Sequence, residues 1–346
     1  KNEVLGMKTG NYHFIGYATG KSLPDITPCQ AKRLTHLNVA FGIVSDTKVS
    51  IEGIRRYLGY IKKIRSYNPN LNILLSTGGG NQHGHGPSTK TDEGIQILIK
   101  STMDIIEEFN FDGIDCDWEF PCDRGIMEEK YQHTKLIKGY RDALDKFENK
   151  RNKKCWLTIA AGAGKWYLNS TEIDVIHKYL DFINVMTYDM RCGNQPTGHH
   201  TNLYEPEGAP ISYSADTAVK LFEEAGVPSE KIVIGVAFYS GRWDGVPNVN
   251  KGMHLEAKIP GDFGPDYTAI YHIYEKSLGF IKYWDDKAKA PWLFNGDTFI
   301  SYDDPESIRY KCEYVKSNGL GGIMYWEHSY DRTGILFNTI YDNLLE

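Results

Sequence analysis

FDGIDCDWEFP, residues Phe111 to Pro121, is the stretch on which the reading of this chain turns. Ile114, Cys116 and Trp118 alternate with Asp115, Asp117 and Glu119, the pattern of a strand with one apolar face. Alternation puts the three acids on one side, with α-carbons about 7 Å apart from one to the next. Carboxylates so spaced cannot all stay charged in a dry core, so they should share protons and titrate together. Pro121 stops the strand. Asp112 is out of phase with the other acids and is expected to support local structure. Acids two apart also occur in calcium loops or on a solvated edge, but such loops are polar and flexible.

Outward from this stretch, short apolar runs alternate with longer amphipathic ones. Strands are expected at 13–18, 34–44, 72–76, 111–120, 156–161, 182–188, 231–238 and 321–326. Helices are expected at 54–67, 91–109, 128–149, 171–179, 215–225 and 305–317. The strands are rich in Val, Ile and Leu, as parallel strands covered on both faces are. Eight such units point to an α/β fold, the (β/α)8 TIM barrel. An open doubly wound sheet is the alternative, and no GxGxxG follows the first strand to favour it. In a barrel, Glu119 sits at the C-terminal, catalytic end of its strand, where a raised pKa would keep it ready to donate a proton.

Some 60 residues between the seventh strand and the last expected helix break the rhythm, and a plain loop of that length is unusual. The expected organisation is therefore a first barrel part at 11–242, an inserted α+β subdomain at 243–302, and the barrel's last helix and strand at 303–346.

Composition narrows the function. The chain has 346 residues, 41% of them hydrophobic and 24% charged, with a formal charge of -6. No long basic tract marks a nucleic-acid partner, and no apolar run is long enough for a transmembrane helix. Residues 1–10 lack the apolar core of a signal peptide. The six cysteines, Cys29, Cys116, Cys122, Cys155, Cys192 and Cys312, are scattered without a CxxC pair, which speaks against zinc. His83, His85, His199 and His200 could mimic a metal site but read as solvated loop residues. No GxSxG elbow supports a serine triad. Aromatics are plentiful, with 23 Tyr and 7 Trp. Trp166, Trp243, Trp284 and Trp292 are candidates for stacking on sugars in outer subsites.

Asp112, Asp115, Asp117 and Glu119 together resemble the DxxDxDxE signature of family 18 glycoside hydrolases. Ser76-Thr77-Gly78-Gly79 resembles that family's SxGG motif, and Met186-Thr187-Tyr188-Asp189 its MxYD motif. Phe238, Tyr239, Gly241 and Arg242 resemble FYGR, with Ser240 as an extra residue, and Gly321–Glu327 (GGIMYWE) resembles the eighth strand. The resemblance implies a TIM barrel with the α+β insertion of one chitinase subgroup. It implies Glu119 as proton donor, Asp117 as partner of the substrate acetamido group, Asp115 behind it and able to share its proton, and Tyr188 as donor to the acetyl oxygen. By the same resemblance Tyr17, Phe41, Gly79, Trp118, Met186, Asp189, Tyr239, Arg242 and Trp326 are substrate-binding. No metal or organic cofactor is implied.

The implied partner is chitin or N-acetylglucosamine oligosaccharides, with no nucleic acid and no membrane. A monomer is expected, and an extracellular location follows from the polymeric substrate. An endo-β-N-acetylglucosaminidase acting on N-glycans, or a peptidoglycan glucosaminidase, would share Asp117 and Glu119. A chitinase-like lectin would lack the acid that Glu119 provides.

Overall fold

Eight parallel strands close on themselves in the computed structural model, which describes residues 12–276 and 279–346. They are β1 (His13–Thr19), β2 (His36–Ser45), β3 (Asn72–Gly78), β4 (Gly113–Asp117), β5 (Trp156–Gly162), β6 (Phe182–Met186), β7 (Ile232–Ala237) and β8 (Gly322–Trp326). Each pairs with its neighbours in sequence, and β1 closes the ring by pairing with both β2 and β8, His13 lying opposite Gly322. This is the (β/α)8 barrel anticipated. Residues 1–10 and the expected barrel start at residue 11 lie outside the described residues.

Helices on the outside carry their stop and start signals in the sequence. Asp92–Glu108 is capped by the Thr91 side chain, Ala215–Glu224 by Ser214, and Pro305–Ser317 by Asp304 in a reciprocal box with Ser307. Two expectations are corrected and one helix is added. The helix expected over 54–67 is interrupted into Glu52–Arg55 and Gly59–Tyr67. The one expected over 171–179 is a single turn, Ile173–Ile176. A helix at Ile335–Leu344 follows β8 and was not anticipated; it buries Leu336, Phe337, Ile340 and Leu344 at helical spacing. Among the described residues no helix is long and apolar enough to cross a membrane.

The barrel interior is filled rather than open. At its N-terminal end His13, His36, Trp156 and Phe182 pack ring against ring, with His13 and Phe182 stacked at 4.6 Å. Above them Ile15, Tyr17, Val233, Ala237, Tyr239 and Met324 form a second cluster. The plug leaves the C-terminal end as the place for a cleft.

Between β7 and Pro305–Ser317 lies a five-stranded antiparallel sheet, in the order Ile259–Asp266, Tyr239–Asp244, Phe299–Ser301, Ala290–Phe294, Ile281–Asp285. Its first strand runs across the boundary expected between residues 242 and 243. Trp243, Val246, Met253, Trp292, Phe294 and Phe299 form its core. Trp243 and Trp292 are therefore buried, and Trp284 stacks on Tyr310, so three of the four tryptophans expected to meet sugar are packing residues.

Candidate active site

Gly113 starts β4 against β5, where a β-carbon would lie 2.0 Å from the Trp156 carbonyl oxygen. This close approach aims the strand so that its acids point up the barrel axis. The ladder ends at Asp117, earlier than the expected residue 120, and Glu119 lies just beyond it. The acids still converge, but in three different settings.

Asp115 is fully buried and accepts four hydrogen bonds: from Tyr17 Oη (2.8 Å), Ser76 Oγ (2.8 Å), Thr158 Oγ1 (2.6 Å) and Asn184 Nδ2 (3.3 Å). Burial pushes its pKa up and the four donors pull it back. Donors occupy both oxygens, which fits the ionised form. Asp117 is buried too, and its pKa is driven well above the carboxylate range by burial and by the charges of Glu119 and Asp115. Its Oδ1 has no hydrogen-bond partner among the described residues. Glu119 stands against Asp117 and the two carboxyls hydrogen-bond. Burial raises Glu119 to about 7, with the charge of Asp189 adding to the rise. Asp117 therefore feels both neighbouring acids, Glu119 in front and Asp115 behind, and the three titrate as a group.

A cleft of about 570 Å³ opens over this pair, lined by Tyr17, Phe41, Asp117, Glu119, Met186, Tyr188, Asp189, Tyr239 and Trp326. Trp326, at the end of β8, stacks on Phe41 at 5.5 Å and forms a flat aromatic wall. Tyr188 follows the end of β6, and among the described residues its hydroxyl bonds only the Met324 thioether at 3.7 Å, a weak acceptor that leaves it free to donate elsewhere. Asp189 accepts a hydrogen bond from Tyr239 Oη at 2.7 Å. Beyond Glu119 the cleft continues for about 350 Å³ past Met186 and Tyr188 to Trp166, which is 44% exposed.

Three residues expected to bind substrate do not line this cleft. Trp118 is buried, stacked on His85 at 5.3 Å and edge-on to His133, and does not line this cleft. Arg242 is held by Asp244, through Nε and Nη2 at 2.9 Å, and by Tyr274, and does not line the cleft. Gly79 works by packing: at φ +96° it gives its N–H to the Asp117 carbonyl at 2.8 Å, and a β-carbon there would strike the Phe41 ring at 2.6 Å. Ser240, the extra residue, bonds the Pro265 carbonyl at 2.7 Å. Its neighbour Tyr239 reaches the cleft while Arg242 does not.

Other residues were missed. Gly80 lies beside the Glu119 carboxyl, with a would-be β-carbon 3.6 Å away. Phe263, from the inserted sheet, is 62% exposed over the cleft and packs on Tyr239 at 4.8 Å. Tyr330 and His83 also line it. Of the histidines read as solvated, His85, His199 and His200 are buried, so that expectation is corrected. Among the described residues no group of three or more His, Cys, Asp or Glu side chains is placed to hold a metal ion, and all six cysteines are free thiols.

Asp112 sits at the other end of β4, at the barrel's closed end. It pairs with Arg65 (2.7 Å), Arg151 (2.6 Å) and Lys153 (2.6 Å), and these cations hold its pKa below the usual value despite burial. It is structural, as its phase suggested.

The family model described as glycosyl hydrolases family 18 matches residues 13–331. The chain is 33% identical to chitinase A1 of Niallia circulans, over 90% of this chain and 50% of that protein, and so spans half the length of that curated relative. A family 18 N-acetylglucosaminidase from Paenibacillus barengoltzii superposes with a TM-score of 0.94 at 44% identity, covering 96% of this chain and 100% of that one. The Group IV chitinase of Ostrinia furnacalis, solved in complex with allosamidin, superposes with a TM-score of 0.87 at 27% identity, covering 96% of this chain and 98% of that one.

Proposed function

The chain belongs to family 18 of the glycosyl hydrolases and is a glycoside hydrolase, and from that premise we propose that it hydrolyses β-1,4 bonds between N-acetylglucosamine units of chitin or its oligosaccharides. The proposed route is retaining and substrate-assisted. The observation that carries it is the Asp117–Glu119 pair, both raised by burial, beside a buried Asp117 oxygen that has no hydrogen-bond partner among the described residues. A buried acceptor without a donor is unfavourable, and an acetamido N–H supplies that donor.

In this reading the sugar lies over Trp326 with its acetamido group pointing down at Asp117. Glu119 gives its proton to the glycosidic oxygen as the acetamido oxygen attacks its own C1. Holding the nucleophile within the same sugar removes most of the entropic barrier to attack. Asp117 accepts the acetamido N–H and, on losing its share of the proton, stabilises the cationic oxazolinium. Asp115, ionised behind it, adds a second negative charge along the same line. Tyr188 donates to the acetyl oxygen, and Asp189 with Tyr239 positions the sugar. Glu119, now a carboxylate, takes a proton from the water that opens the ring intermediate. Nothing in this chemistry calls for a metal or organic cofactor.

The proposed subdomain at 243–302 contributes Phe263 to one wall of the cleft, and Trp166 offers a stacking face beyond Glu119. We place the protein outside the cell, where an insoluble polymer is met, and as a monomer, since the cleft is complete within one chain.

A second reading, an N-acetylglucosaminidase that releases single sugars, is favoured by the likeness to the Paenibacillus enzyme. Chitohexaose incubated with the protein and with Glu119→Gln, and read by mass spectrometry, tests both. Dimers and trimers support chitinase action and monomers alone support the second reading. Binding without cleavage by the wild type refutes both.

A further inference from the structure

Three consecutive residues after β6 are bonded to the inserted sheet or to the turn that leaves it. His199 Nε2 lies 3.1 Å from Asp285 Oδ2, the His200 N–H donates to Ser301 Oγ at 2.9 Å, and Thr201 Oγ1 donates to Asp303 Oδ2 at 2.8 Å. Asp303 is in turn paired with the fully buried Lys311 at 2.8 Å. The segment is therefore registered against the insert at every step. His200 also reaches the other way. Its Nδ1 accepts the backbone N–H of Asp189 at 3.3 Å and lies 3.7 Å from Asp189 Oδ1.

Asp189 needs such a partner. Its φ is +54°, in the left-handed region that a residue with a β-carbon seldom adopts without outside support. Its carboxylate is fixed by Tyr239, whose ring lies 5.4 Å from that of His200. With Nδ1 accepting, the imidazole carries its proton on Nε2, which is buried and has no hydrogen-bond partner among the described residues. This ring is thus held in one tautomer by a single useful bond, the one to Asp189.

We infer that His200 is a positioning residue that sets the backbone, and so the carboxylate, of Asp189 against Glu119, and that through it the inserted sheet fixes the geometry of the proton donor. The inference rests on the function proposed above. Asp189 raises the pKa of Glu119 by its charge. The other titratable groups facing the two acids are Asp117, Tyr167, Tyr188, Tyr239 and Cys192. None of these is hydrogen-bonded to His200, and Tyr239, which packs on its ring, itself bonds Asp189, so loss of the imidazole acts on Glu119 by way of Asp189.

His200→Leu keeps the bulk and removes the acceptor, whereas His200→Asn can present an oxygen near the Nδ1 position. The expected result is a kcat on N-acetylglucosamine oligomers lowered on the order of tenfold to a hundredfold in His200→Leu, the cost of a reacting group displaced by about 1 Å. The alkaline limb of kcat/KM moves to lower pH, because a displaced Asp189 raises Glu119 less. His200→Asn recovers most of the rate and the wild-type limb. In an Asp189→Asn background, His200→Leu adds little further loss. Full additivity in that cycle, or an unmoved limb, overturns the inference. Should His200→Leu fail to fold, His200→Gln, with its acceptor one bond further out, must still move the limb, and a wild-type profile there overturns the inference equally. A crystal structure of His200→Asn and of the leucine or glutamine variant separates this from failure of the functional reading. Even if the wild type cleaves no such sugar, Asp189 should leave its left-handed conformation only where the acceptor is lost, and an unchanged Asp189 counts against the inference.

Discussion

The two ends of β4 carry the same residue type in opposite states. At the closed end Asp112 is surrounded by Arg65, Arg151 and Lys153 and is held ionised. At the open end Asp117 and Glu119 have no such ion-pair partner among the described residues, and burial with the nearby negative charges raises the pKa of both. The distance along the chain is five to seven residues. Solvent access is low at both ends, so burial alone does not decide the outcome. Countercharge does: with cations the carboxylate is a structural pin, and without them it becomes an acid poised to transfer its proton.

The largest test of this contrast is catalytic. Glu119→Gln is expected to lower kcat by about 10³–10⁴-fold, the contribution of a positioned general acid, while Asp112→Asn changes kcat/KM less than about twofold. Release of N-acetylglucosamine oligomers measures both. The second test is stability at pH 7. Asp112→Asn leaves three cations partly unpaired and should destabilise by about 2–4 kcal/mol in urea unfolding, less than a fully buried triad because Lys153 is half-exposed. Asp112 has a depressed folded pKa, so its contribution is present at neutral pH and is lost as pH falls through that value.

Glu119 runs the other way. Its folded pKa is raised to about 7, so its contribution is present below the ordinary carboxylate pKa and lost as pH rises through about 7. The same carboxyl-to-amide change in Glu119→Gln should therefore stabilise the protein by about 1–3 kcal/mol at pH 8 and have little effect near pH 4. Opposite signs from one substitution at two ends of one strand would establish the contrast, and equal signs would break it. For the same reason kcat/KM should fall as pH rises through about 7. The smallest effect is expected at the far end of the cleft. Trp166→Ala should raise KM for chitohexaose about threefold to tenfold, with chitobiose little affected, as lost stacking on one exposed ring suggests. Equal effects on both substrates would remove Trp166 from the sugar's path.

Much of this was legible in sequence because strand alternation is a strict rule. The eight apolar runs gave the barrel, and the spacing of Asp115, Asp117 and Glu119 gave the site. One of the errors also obeys alternation. Arg242 has the opposite parity to Tyr239 on its strand, and it turns from the cleft to Asp244. Reading motif positions without parity hid that. Other features were beyond local pattern. Phe263 reaches the cleft only because Ile259–Asp266 pairs with Tyr239–Asp244, a register set by long-range contacts. The burial of Trp243 and Trp292 depends on a sheet whose strands lie up to some 60 residues apart. The partners of Asp112 come from distant positions, 65, 151 and 153.

The closed ring has a consequence for the birth of the molecule. β1 finds its second partner, β8, only after roughly 300 further residues have been made. At ordinary ribosomal speed that is on the order of tens of seconds, during which one flank of the first strand offers its unpaired amides and carbonyls to any passing strand. Synthesis of this barrel therefore carries a window of exposure that its finished form conceals, and a companion that shields nascent edges would act in that window.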